Sequence, residues 1–337
     1  MTEPAPGALL SVVTRGDAVE SWHRGSVVVV QGDRVVFAAG DVDQAIWCRS
    51  AVKPFQALPL FDRGIAAAQA FTDEELALCS ASHEGTELHT ATVSGLLRRG
   101  GFTVDDLGCG ASPPFDKTTS LAIARSGQKP QRLHHNCSGK HAGFLYLARA
   151  CGVRLADYLQ PESASQQLVR AAVADMAQVP LAEIATAVDG CTAPTLRLPL
   201  SSLAQAFRRL TNPRDLPPGR AAACARLHAA VNRAPVHLAG EGRLCTALLR
   251  EGGGRFYPKN GAEGVYALGI ADLDLGIAIK VDDGATRGYP PVVIALLRHL
   301  GIWSSIPAPL ADFARMPVRN SRKDVVGHVE CALEFGS

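Results

Sequence analysis

Extended, β-branched segments lie near both ends of this chain of 337 residues, and helical spacing fills the length between them. A strand leaves backbone donors and acceptors along its edges, so segments this far apart are satisfied most simply by meeting in one sheet. Near the start, Val27 to Val30 and Val35 to Ala39 flank Gln31-Gly32-Asp33-Arg34, which reads as a hairpin. Towards the end, Arg255 to Tyr257, Gly264 to Leu268, Gly276 to Val281 and Val325 to Cys331 read as strands. Between them, Thr72-Asp-Glu-Glu75 is a capping box opening a short helix, and Ser163-Ala-Ser-Gln166 opens another. Helical spacing continues over 90–99, 145–150, 168–176, 203–210, 221–231 and 244–249, and Pro290 to Leu300 is a helix with proline near its start. The expected fold class is therefore α/β (α+β): an antiparallel sheet from both chain ends with a mainly helical region inserted. The whole of 1–337 forms a single unit, with sheet regions at about 8–60 and 252–337 and the helical region at about 61–251. Asn212 to Gly219, with three prolines, is too slight a signal for a domain boundary.

A net charge of +2 argues against a nucleic-acid or polyanion binder. Nine scattered cysteines without a C-x-x-C pair suggest cytosolic thiols rather than a disulfide framework. Met1 to Gly7 is acidic and proline-rich with no signal-peptide pattern, and no apolar run is long enough to span a bilayer. The expectation is a soluble cytoplasmic protein. Basic residues divide into 27 Arg and only 7 Lys, at 53, 117, 129, 140, 259, 280 and 323. Genomic base composition could produce that bias, yet it is chemically useful. Arginine never becomes a neutral amine near pH 7, whereas a buried lysine can.

Five segments could carry chemistry. Cys48-Arg-Ser50-Ala-Val-Lys53-Pro54 contains S-x-x-K, which places Ser50 and Lys53 one helical turn apart; a desolvated Lys can act as base for the hydroxyl. Pro54 disfavours helix at Lys53, so this works only if the helix begins at Ser50. A second S-x-x-K, Ser126 to Lys129, holds a Gly and precedes Pro130, and reads as loop. Cys79-Ser-Ala-Ser82-His83-Glu84-Gly85 follows a helix and is either a polar cluster with a task or an ordinary terminal turn. Asn136-Cys137-Ser138-Gly139-Lys140-His141-Ala-Gly143 lacks the upstream Gly of a P-loop; its thiol, amine and imidazole could bind metal, or Cys137 could be a buried residue at a helix start. Asp189-Gly190-Cys191-Thr-Ala-Pro194-Thr195 is a tight loop whose Cys191 could add a second thiolate. Lys259-Asn260-Gly261-Ala262-Glu263-Gly264 lies between two strands, where a Gly allows substrate to lie against the backbone; a hairpin turn with a solvated Lys is the plainer alternative.

Taken together, these segments resemble the L-asparaginases named for the thermolabile asparaginase II of Rhizobium. The likeness runs from Arg15-Gly…Glu20-Ser-x-His23-Arg through R-S-x-x-K-P, A-S-H, N-C-S-G-K-H-x-G, D-G-C-x-x-P-T and Gly240-Glu-Gly-Arg-x-Cys245 to K-x-G-A. It implies a fold like that of the serine β-lactamases and penicillin-binding proteins, with an S-x-x-K helix at the centre and a K-x-G strand along the site. It implies hydrolysis of the side-chain amide of L-asparagine to aspartate and ammonia. It casts Ser50 as nucleophile with Lys53 as base, Ser82 and Lys259 as a second Ser–Lys pair, and Cys137, Lys140 and Cys191 as ligands of Zn2+ with water in the open position. Arg49 would hold the substrate carboxylate, Asp189 would orient water or the substrate's amino group, and the N–H groups of Ser50 and Ala262 would form the oxyanion hole. A homodimer is the family expectation.

The S-D-N motif of the β-lactamases is absent, and Ser82-His83 would take its place. A β-lactamase or peptidase on the same fold is the alternative enzyme, and a non-enzymatic zinc-binding protein the alternative of another class. Three of the seven lysines, 53, 140 and 259, fall in the implied site, each in a role that needs an amine able to lose its proton. Depressed pKa values are accordingly expected at Lys53 and Lys140.

Overall fold

The computed structural model describes residues 7–335; most of the N-terminal segment read above, Met1 to Pro6, lies outside them. The expected architecture is the one observed. Strands β1 (Ala8–Arg15), β2 (Ala18–Gln31), β3 (Arg34–Ala39), β7 (Phe256–Asn260), β8 (Val265–Ile270), β9 (Leu275–Val281), β10 (Arg315–Arg319) and β11 (Val325–Cys331) form one antiparallel sheet. Its order is β10-β11-β1-β2-β9-β8-β7, with β3 also paired to β2. The hairpin is in place: Gln31 pairs with Arg34 around a two-residue turn, and Gly32 supplies the positive φ of 56° that the turn requires. The outer half of β2 is exposed, whereas Gly25 to Val30 is buried where it lies beside β9.

The helix Leu200–Thr211 packs against β2, β8 and β9. Its approach depends on two glycines paired across β8 and β9, Gly269 and Gly276. A Cβ at Gly276 would stand 2.0 Å from the Ala204 carbonyl oxygen, and one at Gly269 2.4 Å from that of Phe207. The strands thus present bare backbone where the helix backbone arrives.

The helical block differs from the reading in one respect. A second, three-stranded sheet of order β4-β6-β5 joins Ala45–Trp47 (β4), Ala185–Val188 (β5) and Pro194–Pro199 (β6). Its central strand begins and ends in proline, which disguises it as loop, and β4 and β5 are too short to show a two-residue period. Both bonds of the Thr72 capping box form. Ser163 caps its helix through its own hydroxyl, but Gln166 turns its side chain to the Tyr158 carbonyl instead of closing a box.

Candidate active site

Ser50 sits in a 3-10 turn, Arg49–Val52, that runs directly into the helix Lys53–Ala57. This is the helix start that Pro54 demanded. Arg49, immediately before it, takes left-handed backbone with φ 50°, a conformation costing on the order of 1–3 kcal/mol. It is held there from both sides. Cys48 N–H donates to Leu196 O at 3.0 Å, and Arg49 Nε to Asp189 Oδ1 at 2.7 Å. Gly261, just beyond β7, comes so close to this turn that a Cβ there would lie 2.9 Å from Cys48 O.

The two lysines converge on one hydroxyl. Lys53 Nζ donates to Ala81 O at 2.6 Å and lies 3.0 Å from Ser82 Oγ. Lys259 Nζ approaches the same oxygen at 2.9 Å and donates to Asn260 O at 2.8 Å and Asn260 Oδ1 at 3.1 Å. Both side chains are sealed from solvent. Burial, and then the neighbouring Lys53, bring the Lys259 amine down to about 7, against a weaker upward pull from Cys245 and Cys137. No hydrogen bond joins Ser50 Oγ to Lys53 among the described residues; the i, i+3 spacing brings them near, but the amine's bonds go to the Ala81-Ser82 segment.

That segment is clamped. His83 N–H donates to Asn136 O at 3.2 Å, and Ser82 N–H to Leu238 O at 3.1 Å. His83 Nδ1 accepts from Gly85 N–H, so its Nε2 carries the proton and donates to Ser138 Oγ at 2.9 Å. Burial holds this imidazole neutral, far below the usual histidine range. The Gly240-Glu-Gly-Arg243 motif acquires a reason as well. A Cβ on Gly240 would overlap Glu84, and Glu84 forms an ion pair with Arg243. The sequence placed His83 and Glu84 in the polar cluster after Cys79 and Arg243 in the Gly240-Glu-Gly-Arg motif, but not the bonds that join Glu84 to Arg243 and His83 to Ser138.

Ser50, Ser82, Asn136, Arg243, Asn260 and Ala262 share the wall of a cleft of about 660 Å³. Neither the Ser50 nor the Ala262 N–H is taken up by another protein group among the described residues. Arg49 and Asp189 do not line the cleft. They pair with each other, with Glu263 Oε1 3.7 Å from Arg49 Nη1. Burial pushes the Asp189 carboxyl up, but the Arg49 hydrogen bond and Lys140 outweigh it and hold the group below the ordinary range.

Cys137, Lys140 and Cys191 come together, each almost fully buried. Lys140 Nζ donates to Cys191 Sγ at 3.1 Å, and the Cys137 and Cys191 sulfurs lie close enough for each to act on the other's ionisation. His141 lies against Cys191, its Nε2 buried without a partner. Two sulfurs and an amine, out of water beside an orphaned imidazole nitrogen, suit a zinc ion chemically. Among the described residues no group of three or more His, Cys, Asp or Glu is placed to hold a metal, so a zinc ion here would depend on the Lys140 amine as its third protein ligand. The expected depression at Lys140 is not found. Burial lowers this amine, but the adjoining Cys191 and Cys137 sulfurs raise it further, and the net direction is upward. The hydrogen bond from Cys191 and the nearby lysines draw the Cys137 thiol well below its ordinary value.

Among the described residues, no helix is long and apolar enough to cross a membrane. Solved structures similar to the chain include a β-lactamase from Mycobacterium bovis, 14% identical, covering 82% of this chain and 94% of that one with a TM-score of 0.41. A putative β-lactamase from Bacteroides dorei is 15% identical over 76% and 84%, also at 0.41. A class C β-lactamase mutant is 12% identical over 77% and 88%, at 0.38. No curated protein matches. The family model described as L-asparaginase II matches residues 11–331, from β1 to the end of β11. By that match over nearly its full length, the chain belongs to the L-asparaginase II family.

Proposed function

We propose that the chain hydrolyses the side-chain amide of L-asparagine through an acyl-enzyme on Ser50, with one proton shared between two lysines. The observation that carries the mechanism is Ser82 Oγ lying 3.0 Å from one buried amine and 2.9 Å from the other. Two ammonium groups that close, both dry, repel strongly, so one is neutral. The Ser82 hydroxyl accepts from the charged amine and donates to the neutral one. A proton can therefore pass from Lys53 to Lys259 through Ser82, leaving Lys53 as the base for Ser50 one turn away.

Ser50 Oγ attacks the amide carbon, and its proton moves to Lys53. The oxyanion is received by the N–H groups of Ser50 and Ala262. Collapse breaks the C–N bond, the lysine array returns a proton to the nitrogen, and ammonia leaves. Water then adds to the β-aspartyl ester, giving aspartate and restoring the Ser50 hydroxyl. Arg49 and Asp189 are paired to each other beside the Ser50 turn and off the cleft wall, so they would take the substrate's carboxylate and ammonium only by turning from one another towards the cleft. Zinc held by Cys137, Lys140 and Cys191 would supply Lewis acidity and fix the position of these loops.

One observation favours a second reading: Ser82, rather than Ser50, is hydrogen-bonded to both lysines, which would make it the nucleophile. Coupled ammonia assays and mass spectrometry of acid-quenched enzyme decide between them. With asparagine, Ser50→Ala is expected to lose at least ~10³-fold in kcat and all covalent adduct. Ser82→Ala is expected to lose ~10²–10⁴-fold but keep an adduct of β-aspartyl mass on Ser50. An adduct on Ser82 in Ser50→Ala would overturn the assignment. For the metal, zinc should co-purify at one ion per chain, and added back to metal-stripped protein it should raise the melting temperature with the logarithm of its free concentration. Undiminished zinc content in a Cys137→Ala, Cys191→Ala double variant would remove those residues from the site.

A further inference from the structure

The lysine array assigns no part to Asn260, yet Lys259 touches it twice. Nζ donates to the main-chain oxygen of Asn260 at 2.8 Å and to its Oδ1 at 3.1 Å, and its remaining contact is Ser82 Oγ at 2.9 Å. An amine nitrogen is tetrahedral, so after Cε only three directions remain. Asn260 occupies two of them with groups that only accept. The third points at Ser82 whether it carries a hydrogen or a lone pair. The orientation of the carboxamide is itself fixed by donors. Cys245 Sγ also lies within 3.9 Å of Oδ1, and neither it nor Nζ would be served by the amide NH₂.

We propose that Asn260 is the positioning residue of the proton relay: it locks the Lys259 amine so that proton exchange with Ser82 needs no rotation of Nζ. This rests on the reading of Lys259 as a proton carrier. Without the Oδ1 contact the amine keeps a single pivot, the main-chain oxygen, and its free direction sweeps past Ser82. Removing the amide therefore costs turnover rather than substrate binding. The titratable groups that act on the Lys259 amine are Lys53 across Ser82, Cys245 from the helix Leu244–Glu251, itself bonded to Tyr266 of β8, and Cys137. None of them is a carboxylate, so one placed at 260 would dominate the local field and favour the ammonium form.

The test is the pH dependence of kcat/KM for asparagine in wild type, Asn260→Asp, Asn260→Leu and Lys259→Met, with thermal melts to confirm that each folds. Asn260→Asp keeps an acceptor in place and adds a negative charge. Its acid limb is expected to move up by at least about one pH unit, with rates approaching wild type above it. Asn260→Leu is expected to lose ~10–100-fold in kcat at every pH with KM little changed. An unshifted limb in Asn260→Asp, or wild-type kcat in Asn260→Leu, overturns the role of Asn260. If Lys259→Met retains the wild-type acid limb, the relay itself is wrong; if it loses the limb while Asn260→Asp does not shift, only the positioning inference fails.

Discussion

Lys259 is fully enclosed and its amine is brought down to about 7, mainly by burial. This has a thermodynamic cost that can be measured. Between pH 7 and about 10 the unfolded chain binds a proton at this position that the folded chain lacks. Stability therefore rises with pH across that window. Lys259→Met, of similar volume and no charge, should slow turnover ~10²–10⁴-fold yet raise the melting temperature by several degrees at pH 7, with the gain shrinking towards pH 10. A melting temperature that falls at pH 7, in a variant with an unaltered fold, would contradict the buried neutral amine. The scarcity of lysine drew attention to three side chains that the fold buries. Of the seven, only 53, 140 and 259 are buried; Lys117, Lys129 and Lys323 are exposed and Lys280 is half-buried. Residue type was legible because, of the two strongly basic side chains, only the lysine amine can also give up its charge. Partnership came only through the family resemblance, which joined Ser82 to Lys259 and Lys140 to Cys191. Lys53 bonds to Ala81 and Ser82, 28 and 29 positions on, and the rise at Lys140 depends on Cys191, 51 positions on. Such pairings follow from packing, which local spacing does not encode.

Among the elements, the meeting of the helix Leu200–Thr211 with β8 and β9 sets the tightest tolerance. Gly276→Ala would force Cβ into the Ala204 carbonyl and should destabilise by about 1–3 kcal/mol or more, read as a lower urea midpoint with the slope unchanged. Gly95 provides the contrast. It lies within the helix Glu87–Arg99 with negative φ, and nothing stands within 4 Å of a Cβ there. Gly95→Ala should stabilise by about 0.5–1 kcal/mol. If both substitutions moved the midpoint the same way, close backbone approach would not be what distinguishes the two glycines. Elements with a clear period or cap were readable in advance, as with the helix opened by Thr72. The three-stranded sheet was not, because its pairing joins β4 to β6 across some 150 residues and its central strand is bracketed by prolines.

Across the whole molecule, the site draws Ser50 and Lys53 from the N-terminal part, Ser82 from the helical region and Lys259 from a C-terminal strand. One core runs through all of them. Unfolding monitored by far-UV circular dichroism, intrinsic fluorescence and residual activity should therefore give a single coincident transition. An early loss of helix with the sheet intact would instead mark the inserted region as a separate folding unit. The sheet's closure also bears on the order of events during synthesis. Strand β1 lies between β2 and β11, and His328 N–H donates to Thr14 Oγ1 across 314 positions. A ribosome adding about 5–20 residues per second must work for tens of seconds before the first strand meets this neighbour. Throughout that interval the emerging chain carries an open strand edge and half-covered apolar side chains, so productive folding depends on how well they are shielded until the last strand arrives.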